Sequence, residues 1–178
     1  MSRYFFALKP ENKIRDEIVL TRSQLLFSGR WVKSKNIHLT LLFLGNMSQE
    51  QRHKVINEAK KIAFPEFELS LDKTGYFKKS QVAWLGFDRV PDPLLVLNQQ
   101  LLKAVKLSNI NISQQTYKPH VTLARKSEKI SKIVVEPISW KIIDFILLRS
   151  IDTQHGVKYQ LVKTFKSRTE TVSKQIIC

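Results

Sequence analysis

The pattern His-x-Thr-Leu occurs twice in this chain, within IHLTLLFLG at residues 37–45 and within KPHVTLAR at residues 118–125. Each copy lies in a short apolar run bounded by polar residues, glycine or proline, so both segments are expected to be strands. Side chains alternate between the two faces of a strand. His38 and Thr40 therefore share one face, with Leu39 and Leu41 on the other; His120 and Thr122 share a face, with Val121 and Leu123 opposite. Each strand is thus half core and half site. A fold for this chain has to present two such polar faces where they are usable, and that requirement constrains it more than any other feature.

Facing one another across a cleft, the two strands bring together two imidazoles and two hydroxyls. Imidazole titrates near neutrality, at about pH 6.5, so one ring can take a proton from a nucleophile while the other gives one to a leaving oxygen. The threonine hydroxyls can hold anionic oxygens between them. Composition then selects the substrate class. Thirty Lys and Arg residues stand against 15 Asp and Glu, a formal charge of +15, which attracts polyanions. A phosphodiester is the natural substrate. Zinc is the rival use of paired histidines, but neither motif contains Asp or Glu and the sole cysteine is Cys178. Metal-free acid–base chemistry, without a cofactor, is the expectation.

The remainder of the chain reads as one domain over residues 1–178, in which strands and helices alternate without a regular βαβ rhythm, an α+β pattern. RYFFAL at 3–8 is a short strand. A helix is expected from Pro10 to about Phe27, with Ile14, Ile18, Leu25 and Leu26 on its apolar face. Ser48 with Gln51 forms a capping box for a second helix that buries Val55, Ile56, Ala59, Ile62 and Ala63. Strands are expected near 67–71 and 82–87, joined by a turn around Gly75 and Lys78-Lys79. A third helix opens at Asp92-Pro93, with Leu94, Leu97, Leu101 and Val105 on one stripe. A long apolar strand within 138–148 and a last strand at 157–165, turning at Gly156, complete the reading. No signal-peptide h-region and no uncharged run long enough for a bilayer is visible, so a soluble cytoplasmic protein without membrane association is expected; a monomer is the expected state.

The motifs and their surroundings closely resemble the 2H phosphoesterase superfamily, in particular its bacterial and archaeal RNA 2′,3′-cyclic phosphodiesterases, also described as 2′-5′ RNA ligases. RYFFAL, RWVKSKNIHLTLLFLG, VAWLGF and FILLRSIDTQHGVKYQLVKTF carry the likeness over nearly the whole chain. The resemblance implies a two-lobed α+β fold, antiparallel sheets with outer helices around a central groove. It also implies metal-independent hydrolysis of a terminal 2′,3′-cyclic phosphate on RNA to a 2′-phosphate, with reversible 2′-5′ ligation as a minor activity. His38 and His120 become the catalytic pair, His120 as base and His38 as acid, and Thr40 and Thr122 contact the phosphate. Arg125 matches the family pattern as a phosphate ligand, although strand parity sets it with Val121 and Leu123, away from His120. Tyr117 matches an aromatic position and is the candidate for base stacking.

Other readings stand beside this one. A small cyclic nucleotide is an alternative substrate, and a non-catalytic RNA-binding module is an alternative function. His53, between Arg52 and Lys54, is expected to face solvent, and His155 to be a loop residue. Trp31, Trp84 and Trp140 read as core or sheet anchors. Lys33, Lys35, Lys78, Lys79, Arg125 and Lys126 are candidates for the groove mouth.

Overall fold

A computed structural model describes residues 3–113, 116–131, 133–154 and 156–168; His155 and Cys178 lie outside them. Among the described residues, nine strands and three α-helices follow one another as β1 (Arg3–Leu8), α1 (Asn12–Gln24), β2 (Arg30–Trp31), β3 (Leu39–Gly45), α2 (Gln49–Lys60), β4 (Phe67–Phe77), β5 (Val82–Gly86), α3 (Asp92–Leu107), β6 (Val121–Arg125), β7 (Val134–Ile142), β8 (Asp144–Thr153) and β9 (Gly156–Lys166). The sheet order is β7-β4-β5-β6-β3-β1-β8-β9, with β2 on β6. All the pairings among these strands are antiparallel. Helices cover one face of this antiparallel sheet, as an α+β chain requires. No helix among the described residues is long and apolar enough to cross a membrane.

Local sequence accounts for most of these elements. The Ser48 side chain accepts from the Gln51 backbone N–H at 3.1 Å, and the Gln51 side chain accepts from the Ser48 N–H at 3.0 Å, so α2 starts at the expected capping box. Helix α3 buries Leu94, Leu97, Leu101 and Val105 on the expected stripe. Four expectations need correction. Helix α2 ends at Lys60, so Ile62 and Ala63 lie beyond it instead of on its inward face. Helix α1 stops at Gln24, Leu25 turns extended, and Leu26 is fully exposed instead of joining the core face. The apolar stretch 138–148 is two strands, because the chain breaks at Ile143; β7 goes to β4 at one sheet edge and β8 to β1 in the other half. Gly75 lies inside β4, and the turn comes later, around residues 78–81.

The main core lies between the helices and the sheet. Leu39 and Leu41 of β3, Val121 and Leu123 of β6, and Phe6 and Leu8 of β1 meet Ile18 of α1, Val55 of α2 and Leu97 of α3, all essentially inaccessible. Each such side chain contributes roughly 1.5–3 kcal/mol by leaving water. A second, smaller cluster of Phe5, Ala7, Ile146 and Leu148 lies under Tyr159 on the uncovered face. That uncovered face carries the site. His53 is exposed on α2, Trp140 is core, and Trp31 stacks near Phe27 with the Arg22 guanidinium 5.1 Å from its ring.

Candidate active site

The halves β7-β4-β5-β6 and β3-β1-β8-β9 meet, among the described residues, where Leu39 of β3 stands opposite Val121 of β6. In an antiparallel pair, opposite residues point to the same side. Counting out from Leu39 and Val121 sets His38 against Thr122 and Thr40 against His120. The two motifs therefore lie side by side where the two halves of the sheet meet, their four polar side chains on the uncovered face.

Both imidazoles are held in the same way. His38 Nδ1 lies 2.6 Å from the Asn36 carbonyl oxygen, and His120 Nδ1 lies 2.7 Å from the Lys118 carbonyl oxygen. A carbonyl only accepts, so each Nδ1 carries the proton and donates it, leaving Nε2 of the neutral ring as a free base. Asn36 does more than orient His38: its side-chain amide donates to the Val157 carbonyl at 3.1 Å, tying the loop before β3 to β9. Aromatic rings brace the imidazoles. Phe5 and Tyr159 each lie 5.1 Å from the His38 ring, and Phe77 lies 4.9 Å from the His120 ring. Burial among these rings is the main cause that lowers the His38 pKa to about 4, against the Asn36 hydrogen bond, with Arg125 and His120 adding to the depression. His120 is lowered for the same leading reason, opposed by its Lys118 bond and assisted by Arg125.

The Arg125 charge acts on both rings, and it stands on their face because the pleat is interrupted. Thr122 stands opposite Trp84 and Ala124 opposite Ala83, so Leu123 is an extra residue in β6, a bulge. The extra residue reverses parity, and Arg125, opposite Val82, joins Thr122 on the site face. Strand β3 does the same: Thr40 stands opposite Ala7, Leu42 opposite Phe6 and Phe43 opposite Phe5, with Leu41 the extra residue. Phe43, 65% exposed, thereby occupies in one motif the place that Arg125 occupies in the other. In the sequence Phe43 is simply one residue of the apolar run 41–44. Tyr117, by contrast, is half-buried against the core, burial pushes its phenol pKa up, and its hydroxyl lies 3.5 Å from the Thr40 carbonyl oxygen. Its ring is not the exposed platform that stacking requires; Phe43 is.

Each bulge leaves a carbonyl that another element satisfies. The Leu123 oxygen accepts from the Val32 backbone N–H at 2.9 Å, and the Leu41 oxygen accepts from the buried Asn98 side chain of α3 at 2.7 Å. Replacing Asn98 with alanine strands that carbonyl in the core, at a cost of about 1–3 kcal/mol. The expected outcome is a thermal midpoint lowered by roughly 3–10 °C; an unchanged midpoint in a melting experiment would show that the bulge does not depend on Asn98.

The two sides of the site differ in room. Trp84, opposite Thr122, spreads its ring over Gly75 and Gly86; a β-carbon at Gly75 would overlap that ring, which is why glycine is needed there. Ala7, opposite Thr40, is the counterpart of Trp84 in the other half. A cavity of about 450 Å³ opens beside His38, bordered by Asn36 and Tyr159. The exposed Lys33, Lys35, Lys78, Lys79 and Lys126 remain as candidate groove-mouth cations. No group of three or more His, Cys, Asp or Glu side chains that could hold a metal occurs among the described residues.

Two histidines, each one residue ahead of its strand and, among the described residues, with no hydrogen bond at Nε2, together with two hydroxyls and an arginine on one open face define a phosphoesterase-type site. The comparisons agree. A family model described as LigT-like phosphoesterase matches residues 8–84. The chain is 32% identical to the RNA 2′,3′-cyclic phosphodiesterase of Escherichia coli K12, over 90% of this chain and 94% of that protein. It is 28% identical to the protein of the same name from Thermotoga maritima, over 90% and 92%. The crystal structure of E. coli LigT complexed with 3′-AMP superposes with a TM-score of 0.85 at 30% identity, covering 94% of this chain and 99% of that one. The chain belongs to the LigT-like phosphoesterase family.

Proposed function

We propose that this protein hydrolyses the 2′,3′-cyclic phosphate at the 3′ end of RNA to a 2′-phosphate, without a metal ion. The observation that carries the reading is the matched tethering of His38 and His120, each with Nδ1 on a backbone carbonyl and Nε2 free beside the other motif. Water attacks phosphorus as His120 Nε2 takes its proton; the P–O3′ bond breaks as His38 Nε2–H donates to O3′. The product carries a 2′-phosphate and a free 3′-hydroxyl. Thr40, Thr122 and Arg125 hold the phosphate oxygens, and Phe43 offers a face for the terminal base. The open space beside His38 favours that side for the departure of the RNA chain from the terminal nucleoside, which sets O3′ toward His38 and makes His38 the acid. The +15 balance supports RNA as the polyanion, and a single terminal cysteine fits a reducing cytoplasm. The relatives named as RNA 2′,3′-cyclic phosphodiesterases support the same reaction.

The deciding experiment incubates a short RNA ending in a 2′,3′-cyclic phosphate with the protein in excess EDTA and reads the position of the product phosphate. A 2′-phosphate is expected. No product from the RNA, but turnover of small cyclic nucleotides, would change the substrate; salt-sensitive RNA binding with neither turnover would leave a binding module.

The lowered histidine pKa values give a further expected result. The productive free enzyme has His38 protonated and His120 neutral. With His38 near 4, that form becomes scarcer as pH rises above its pKa, so kcat/KM should be greatest below pH 6.5. A bound phosphate anion favours the imidazolium and raises the pKa of His38 in the complex. The kcat optimum should therefore lie at higher pH than the kcat/KM optimum; coincident optima above pH 7 would contradict the assignment.

A further inference from the structure

We infer that the cavity beside His38 is a second nucleotide subsite, which takes the nucleotide immediately 5′ of the one bearing the cyclic phosphate. The inference rests on the RNA-end reading above and sharpens it: the preferred substrate is an end at least two nucleotides long, not a mononucleotide.

The first ground is asymmetry at the seam. A cyclic phosphate is the 3′ terminus, so the whole remaining polymer must leave the site from one nucleoside. On the His120 side the Trp84 ring, 5.4 Å from Phe77, fills the sheet face over Gly75. On the His38 side Ala7 is covered by the small cluster under Tyr159, and beyond that cluster the sheet face opens into the cavity. The space there, about 450 Å³, lies within the 300–1,000 Å³ or so of ordinary ligand sites and suits a nucleoside.

The second ground is the lining. Ile146, Leu148 and Leu161 form an apolar floor continuous with the cluster under Tyr159, and Leu161 is 57% exposed. An exposed leucine beside Leu148 in an otherwise buried apolar floor is suited to the flat face of a base. Charge completes the match. Lys9 and Lys35 stand at the cavity with no ion-pair partner among the described residues, whereas the lining Lys141 pairs with Glu66 and the lining Asp144 with Lys166. Glu11 is the other lining carboxylate, so the unpaired balance favours an anion. Two free ammonium groups beside an apolar floor fit the phosphodiester and base of one further nucleotide. Asn36 joins this wall to the chemistry, since its carbonyl holds His38 and its amide holds β9.

The test compares kcat/KM for a nucleoside 2′,3′-cyclic phosphate with that for the dinucleotide carrying the same terminal nucleoside. It uses the wild type, Leu161→Asp and Lys9→Glu, both at exposed positions. The wild type should prefer the dinucleotide by about tenfold or more, as one stacked base would provide. Each variant should bring that ratio down toward one with its mononucleotide rate unchanged. Equal kcat/KM for the two substrates in the wild type overturns the subsite while leaving the hydrolysis reading intact. A preference that survives in both variants, or rates that fall in equal proportion for both substrates, also overturns it. A wild type that turns over neither substrate overturns the hydrolysis reading, and the subsite with it.

Discussion

Turnover of a cyclic-phosphate RNA end is expected to fall by about 10²- to 10⁴-fold when either His38 or His120 is replaced by alanine, the usual contribution of a positioned acid or base. RNA affinity should change little, because Thr40, Thr122, Arg125 and the basic surface hold the phosphates. The double variant should be scarcely worse than the slower single variant, because the two rings serve one proton-transfer sequence and their effects do not add. The allocation of roles has its own readout. A diester with a 4-nitrophenolate leaving group needs no proton donor, so the acid variant should lose far less on it than on RNA, while the base variant should lose as much. With His38 as acid, His38→Ala is the variant relieved. Relief in His120→Ala instead would exchange the roles, and full activity on RNA in either variant would sink the two-histidine mechanism. Folding is not the obstacle to these variants, since both side chains lie on the uncovered face and the main core is formed by Leu39, Leu41, Val121 and Leu123 behind them.

Much of this site was legible because the chemistry is local. Alternation alone separated His38 and Thr40 from Leu39 and Leu41, and the duplicate motif distinguished a site from a chance polar face. The Ser48–Gln51 box and the Leu94 stripe were equally plain, since the interactions they describe lie within one helix. What alternation could not see was its own interruption. Strict alternation places Arg125 on the core side, and the Leu123 bulge returns it to the histidines. A trace of the bulge was present in the residues: each threonine is followed by two apolar side chains in succession, Leu123-Ala124 and Leu41-Leu42, where strict alternation calls for one. Aligning the motifs at their histidines would also have set Phe43 beside Arg125. The division of 138–148 had no such trace, because β7 and β8 are both apolar and only their distant partners, β4 and β1, separate them. The relation of the motifs, adjacent in one sheet through Leu39 and Val121, is likewise a long-range fact that neither segment carries by itself.

Replacing Arg125 with alanine should cost about 10²- to 10³-fold in kcat, comparable to removing a donor from a preorganised oxyanion site. The guanidinium stands on the site face; its charge adds to the lowering that burial imposes on both histidines and opposes the rise that burial gives the Tyr159 phenol, so its field covers the space between the motifs. Lysine should restore the loss only in part, since a single ammonium cannot offer the paired donors that match two phosphate oxygens. The pH profile separates this role from support of the bulge. Without the cation both imidazoles hold their protons to higher pH, so the kcat/KM optimum of Arg125→Ala should move upward, and lysine should leave it near the wild-type position. Such a shift follows from charge and not from packing. The bulge itself is anchored by backbone, through Val32 and Leu123, and should survive the substitution. If Arg125→Ala kept its kcat and its pH optimum and only weakened the binding of longer RNAs, Arg125 would be a rim cation like Lys126. The phosphate would then rest on the two threonines alone.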